Sequence, residues 1–309
     1  MVNRHSVVMI PPETKLFSAY HDAPQWIRRK TIARINRDLM IDLDPRFVHR
    51  SMKTCDTSKE VFQQFSTRTR RDDVTCFGEK TPEHTSRINS IREVFPNAPI
   101  IALVRNGYAV AESLTRMPWL NCDLRGGAKI WRYYMEHITR AVDGGMNDFH
   151  TVRYEDLVLQ PTPTLQRVFN LIGVDASEAE ACLTPNEDRD RWLFPERERV
   201  WKGDAMKGID WHRQSRCRLL TAVQRNQVET ACGAMLQRWG YAEERVLGCE
   251  SDSRFIRRGT GRVMDMASDL RSTLKILSRI PPSVLLSEGT YHASRSWRQW
   301  WRRHLERQE

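Results

Sequence analysis

"FPNAPIIALVRNGYAVAESLTR", residues 95–116, decides the fold class. Its apolar run, Ile100–Val104, is short and continuous, which predicts a parallel strand covered on both faces. Arg105 follows at once, then the turn "NG", then a helical pattern through "YAVAESLTR". Upstream, "GEKTPEH" (78–84) reads as a turn entering a helix, which "TSRINSIREVF" continues with Ile88, Ile91, Val94 and Phe95 on one side. Helix, buried strand, polar loop and helix make an α/β signature.

Working outward, the same texture extends over most of the chain. After Asp22, read as a cap, and Pro24, the residues Trp26, Ile27, Ile32, Ile35 and Leu39 recur at helical spacing. Residues 45–75 are polar and weakly patterned, consistent with two or three short helices. A helix is expected over 126–142, with Ile130, Trp131, Tyr134, Ile138 and Val142 as its stripe. "FHTVRYEDLV" (149–158) reads as a second strand, and "PTPTLQRVFNLIGV" as a helix capped by Thr162 with Pro163 at its first position. "RLLTAVQRNQVETACGAMLQRWGY" is a long amphipathic helix stopped at Gly240. Residues 1–245 are taken as the main domain and 246–309 as a basic, Trp-rich helical extension.

Composition narrows the function. With 309 residues, 40% of them hydrophobic, the chain can bury a sizeable core. No run approaches the length of a membrane span, and no signal peptide is read at the start. The seven cysteines are scattered and form no CxxC pair. That argues against a disulfide framework and a clustered metal site, and points to a reducing, cytoplasmic compartment. A formal charge of +10 calls for anionic partners. No recognised nucleic-acid motif accompanies it, so no specific nucleic acid is expected.

Several residues carry candidate chemistry, each with a plainer reading beside it. Arg105 at a strand end and Ser113, eight residues on, fit an anion clamp; they equally fit a solvent-facing arginine and a helical serine. Lys80 stands at a loop-to-helix junction, where an ammonium can neutralise developing charge or form a surface ion pair. His84 is the alternative acid–base group there, or a structural histidine. Tyr154 and Glu155 suit a nucleotide contact or a capped strand end. Glu13, in "MIPPETKLF" (9–17), is a proline-flanked carboxylate available as a general base.

In joint order and spacing, "EKTPEH", "FPNAPIIALVRNGYAVAESLTR", "VRYEDLVLQPTPTLQRVFNLIGV" and the distal "LQRWGY" resemble the sulfotransferases that use 3'-phosphoadenosine 5'-phosphosulfate (PAPS). The similarity is greatest to the bacterial and tyrosylprotein members and covers roughly 5–243. It implies a P-loop NTPase-like fold, a parallel sheet flanked by helices. It implies that Arg105 and Ser113 hold the donor's 3'-phosphate, that Tyr154 lies near the nucleotide, and that Lys80 steadies the transferring sulfuryl group. Glu13 matches the base, following a stretch like "RHSVVMI". A later lysine, Lys202 or Lys207 in "VWKGDAMKG", matches a further donor contact. No metal is required, and the acceptor is a hydroxyl: saccharide, tyrosyl or small alcohol.

The family's strand, "RSGTT"-like loop and helix normally precede the Glu13 segment, and the loop's amides cradle the 5'-phosphosulfate. The chain as written is expected to begin beyond that unit, its true start lying upstream. Neither glycine pair, Gly126-Gly127 nor Gly144-Gly145, stands between a strand and a helix to replace it. The rival reading is a truncated, non-catalytic binding or scaffold protein of the same fold. At the far end, Trp297, Trp300, Trp301 and Leu305 form a stripe beside Arg298, Arg302, Arg303 and Arg307. A helix there is expected to fold back on the domain, or to contact a membrane surface or a protein partner.

Overall fold

The computed structural model describes residues 1–43, 54–69, 72–117, 120, 122–186, 190 and 220–242. Lys202, Lys207 and the 246–309 extension lie outside them. All elements given below are those of the described residues, among which four short strands occur in two parallel pairs. β1 (Val8–Met9) pairs with β2 (Cys76–Phe77), and β3 (Ile100–Val104) pairs with β4 (Phe149–Arg153). The helices are α1 (Gln25–Leu39), α2 (Thr54–Thr69), α3 (Ile88–Val94), α4 (Gly107–Thr115), α5 (Leu124–Asp143), α6 (Tyr154–Leu159), α7 (Pro161–Leu171) and α8 (Ala222–Arg238). Between β1 and α1, Leu16–Tyr20 makes one wide helical turn, and Pro82–Arg87 makes a tight one before α3.

The α/β class is as expected, with local differences. β3 is covered on one face only: Ile100, Ala102 and Val104 pack on the α4–α5–α8 core, whereas Leu103 is 56% exposed. Strand alternation thus governs a run whose composition suggested burial on both faces. The second strand ends at Arg153, and Tyr154–Leu159 is helical instead. Glu155 and Asp156 in that first turn favour the helix by facing its positive end. Pro161, at the first position of α7, follows Gln160 as cap; Thr162 caps nothing. At α1 the cap is Pro24, and Asp22 instead takes a left-handed turn with φ of 57°.

The stripe of α5 also shifts. Trp131, Met135 and Ile138 are buried with Ala128 and Ala141, while Val142 is left 45% exposed. Here α4, α5 and α8 converge on Tyr108, Trp131, Leu236 and Tyr241. Gly107 is required by that packing: a Cβ there would lie 2.9 Å from both Leu236 and Trp131. So "NG" is a cap and a close contact, with Asn106 Oδ1 accepting from the Tyr108 amide at 2.9 Å. A second core joins Leu16, Phe17 and Tyr20 to Ile32, Ile35, Phe65 and Val94. Among the described residues no helix is long and apolar enough to cross a membrane. Cys76, Cys122 and Cys232 are free thiols.

Candidate active site

Each strand hands its chain to one candidate residue at its carboxyl end. β1 leads through Pro11-Pro12 to Glu13, β2 through Gly78-Glu79 to Lys80, β3 directly to Arg105 and β4 directly to Tyr154. Because both pairs are parallel, the ends coincide, and the residues meet two by two. Lys80 Nζ donates to Glu13 Oε1 at 2.6 Å, with the Glu13 side chain 16% and the Lys80 side chain 56% exposed. The Arg105 guanidinium lies over the Tyr154 ring, 4.3 Å from its centroid.

Glu79, which the sequence reading passed over, binds the first pair's two segments together. Its Oε1 accepts from Thr14 Oγ1 at 2.7 Å, from the Thr14 amide at 3.1 Å and from Thr81 Oγ1 at 2.7 Å. Its Oε2 faces His84 Nδ1 at 2.7 Å. Burial pushes the Glu79 carboxyl up; His84, Thr14 and Thr81 outweigh it and hold it at about 2. The Thr81 hydroxyl also accepts from the Lys15 amide at 3.2 Å. Glu79 and Thr14 each adjoin one of the two candidate catalytic residues, so the network fixes the backbone on both sides of the ion pair. The signal in the sequence was the adjacency itself, an acid beside Lys80 in "GEKTP".

His84, the alternative acid–base group, belongs to this network. Its Nε2 accepts from the Phe17 amide at 3.1 Å, so the ring proton sits on Nδ1 toward Glu79. Both nitrogens are engaged, and the ring is 7% exposed.

The second pair is locked by Glu155. Its Oε1 accepts from the Asn106 amide at 2.9 Å, and its Oε2 from Tyr241 Oη at 3.2 Å. Arg153 lies over the Tyr241 ring at 4.4 Å. The distal "LQRWGY" therefore braces the strand ends that carry Arg105 and Tyr154. Trp131 is part of the core: it is 4% exposed and its Nε1 donates to the Arg105 carbonyl at 2.9 Å. Ser113 sits half-buried in the last turn of α4, roughly 9 Å along the helix from Gly107 at 1.5 Å per residue. A groove of about 930 Å³ lined by Arg87, Arg92, His137 and Arg140 lies at the opposite, amino ends of β3 and β4. There Arg92 clamps the Pro96, Ala98 and Asn147 carbonyls at 2.7 to 2.9 Å. No group of acids, histidines and cysteines suited to a metal occurs among the described residues.

The model of the sulfotransferase family matches residues 1–178, more than half of the chain. The chain belongs to the sulfotransferase family. It is similar to the omega-hydroxy-beta-dihydromenaquinone-9 sulfotransferases of Mycobacterium bovis and Mycobacterium tuberculosis, 30% identical over 176 residues. That match covers 52% of this sulfotransferase-family chain and 40% of each relative. A sulfotransferase domain from the Synechococcus PCC 7002 olefin synthase shares the fold, with a TM-score of 0.53 at 23% identity. The likeness covers 74% of this chain and 86% of that domain.

Proposed function

We propose that the chain performs sulfuryl transfer from PAPS to a hydroxyl acceptor. The observation that carries this reading is the meeting of Glu13 and Lys80 from separate strand ends at 2.6 Å, in a family member. The donor set also suits an anionic nucleotide. A guanidinium over the Tyr154 ring at a strand's carboxyl end suits paired hydrogen bonds to a phosphate. Ser113 supplies a further hydroxyl from α4. Lys202 is proposed as a later cation toward the same nucleotide.

The reaction exchanges one sulfur–oxygen bond for another. The acceptor oxygen bonds to sulfur, the bond to the bridging phosphate oxygen breaks, and adenosine 3',5'-bisphosphate leaves. Glu13 takes the acceptor proton, and Lys80 stabilises charge growing on the bridge and sulfuryl oxygens. In the ion pair each group neutralises the other. Lys80 must therefore turn from Glu13 toward the sulfuryl group, which frees the carboxylate as base. The relatives' name, with its omega-hydroxy group, supports an alcohol acceptor. A cytoplasmic location is part of the same proposal.

Transfer from labelled PAPS to a panel of alcohols tests this, on the 309-residue chain and on the chain extended upstream in its reading frame. Glu13→Gln is expected to lower turnover by about 10²–10⁴-fold, as for loss of a general base. Arg105→Ala should weaken adenosine 3',5'-bisphosphate by about 1.5 to 3 kcal/mol in calorimetry, the worth of a charged hydrogen bond. Full activity in Glu13→Gln removes it as base, and unchanged affinity in Arg105→Ala removes the phosphate clamp.

A further inference from the structure

The outer face of α1 has a composition that neither the core nor the ion pair explains. Trp26, Lys30, Ala33, Arg37 and Met40 recur at i, i+4, i+7, i+11 and i+14, and all are exposed. At 3.6 residues per turn the four inside the helix, Trp26, Lys30, Ala33 and Arg37, fall within about 40° of one line along it, and Met40 follows at its end. Trp26 is 59% exposed at one end and Met40 79% just beyond the other. Arg29, also exposed, flanks the stripe, and Lys30 Nζ lies 5.1 Å from the centroid of the Trp26 ring. No carboxylate stands in the line. Asp38 adjoins it, its Oδ1 accepting from Arg37 Nε at 3.1 Å while the Arg37 side chain stays 66% exposed, and the exposed Asp22 and Asp42 lie beyond the helix ends. The opposite face, with Ile32, Ile35 and Leu39, is buried in the second core.

This helix is joined to the segment bearing the candidate base. Arg34 donates to the Thr14 carbonyl, next to Glu13, and Thr31 Oγ1 donates to the Ala19 carbonyl at 3.1 Å. A solvated face needs charge but no exposed tryptophan and methionine at its two ends. A face that grips duplex phosphates by charge needs cations and gains nothing from a tryptophan and a methionine set at its two ends. Cations interleaved with an aromatic and a flexible thioether match an anionic bilayer surface, whose headgroups take the charge and whose interface takes the Trp ring.

We propose that the outward stripe of α1 docks on an anionic membrane surface and presents the Glu13 and Lys80 locus to an alcohol carried by a lipid. The acceptor class rests on the proposed reaction; the docking does not. The test is sedimentation of the full chain with vesicles of equimolar phosphatidylglycerol and phosphatidylcholine, beside vesicles of phosphatidylcholine alone. Wild type should bind the anionic vesicles preferentially. Lys30→Ala with Arg37→Ala should lower that binding about 30-fold, the change for two near-surface cations at about 1 kcal/mol each. Brominated lipid should quench a fluorescence component that Trp26→Phe removes.

Binding by the double variant equal to wild type, or no wild-type binding, overturns docking. Binding to duplex DNA at least as tight as to the vesicles, with vesicle binding insensitive to Trp26→Ala, also overturns it and favours a polyanion patch. Thermal melting checks that these exposed replacements leave the fold intact. Vesicle binding is read without turnover. A chain that binds but does not transfer therefore supports docking and counts against the reaction, whereas transfer to a soluble alcohol without vesicle binding does the reverse.

Discussion

A carboxylate facing Thr14, Thr81 and His84 must be ionised for all of those groups to donate to it, and Glu79 is held in that form although nearly buried. Its folded value of about 2 lies below the ordinary 4.5. The sign follows: stability from this group is fully present above pH 4.5 and is lost as pH falls toward 2. A displacement of that size is on the order of 3 kcal/mol. Glu79→Gln presents one amide face that cannot accept, leaving a threonine or His84 without its partner. The variant should melt lower than wild type near neutral pH, and the gap should narrow as pH falls from 4.5 toward 2. A constant gap across that range contradicts the ionised network. Glu13, Lys80, Arg105 and Tyr154 were legible as residues of chemical interest because each sits at a break between apolar run and helix. Glu79 was not, since burial and the convergence of Thr14 and His84 on it are properties of the folded chain.

At the scale of elements, close approach of backbones decides what can be substituted. Gly127 opens α5 against α4, and a Cβ there would meet the Ala111 carbonyl oxygen at 2.7 Å. Alanine gains about 1 kcal/mol of helix propensity, but overpacking against backbone costs about 1–3 kcal/mol with no side chain able to move aside. The clash wins. Gly233 of α8 has nothing within 4 Å of such a Cβ, so the propensity term stands alone there. Gly127→Ala should lower the melting temperature and Gly233→Ala leave it unchanged or raise it; the opposite order contradicts the α4–α5 contact. Helix existence was readable from periodicity in α1 and α5, whereas α8, expected to be amphipathic, has scarcely any apolar stripe and kinks at Cys232. Boundaries failed where one residue type serves two ends: "RYEDLV" continues a strand pattern, yet its acids stabilise a helix start.

Over the whole molecule, contacts distant in sequence close the fold. Arg4 meets Asp190 through two hydrogen bonds of 2.8 Å, both side chains almost fully buried, and its guanidinium also donates to the Leu183 carbonyl at 3.1 Å. Nothing local to "VNRHS" announces a partner 186 residues away. Removing one partner strands a buried charge, a cost of about 3–5 kcal/mol. Asp190→Asn should lower the unfolding free energy extrapolated from urea titration by that much, with an earlier midpoint, and Arg4→Met with Asp190→Leu should recover most of it. Equal midpoints in wild type and Asp190→Asn contradict the buried pair. The same kind of long-range meeting makes each half of the proposed site, Glu13 with Lys80 and Arg105 with Tyr154. A crystal structure with adenosine 3',5'-bisphosphate bound tests that claim most directly. The account predicts the 3'-phosphate within hydrogen-bond distance of Arg105 and Ser113, with Lys80 turned from Glu13 toward the 5'-phosphate. A nucleotide seated in the Arg87–Arg140 groove at the amino ends of β3 and β4, with the Glu13–Lys80 pair undisturbed, would contradict it.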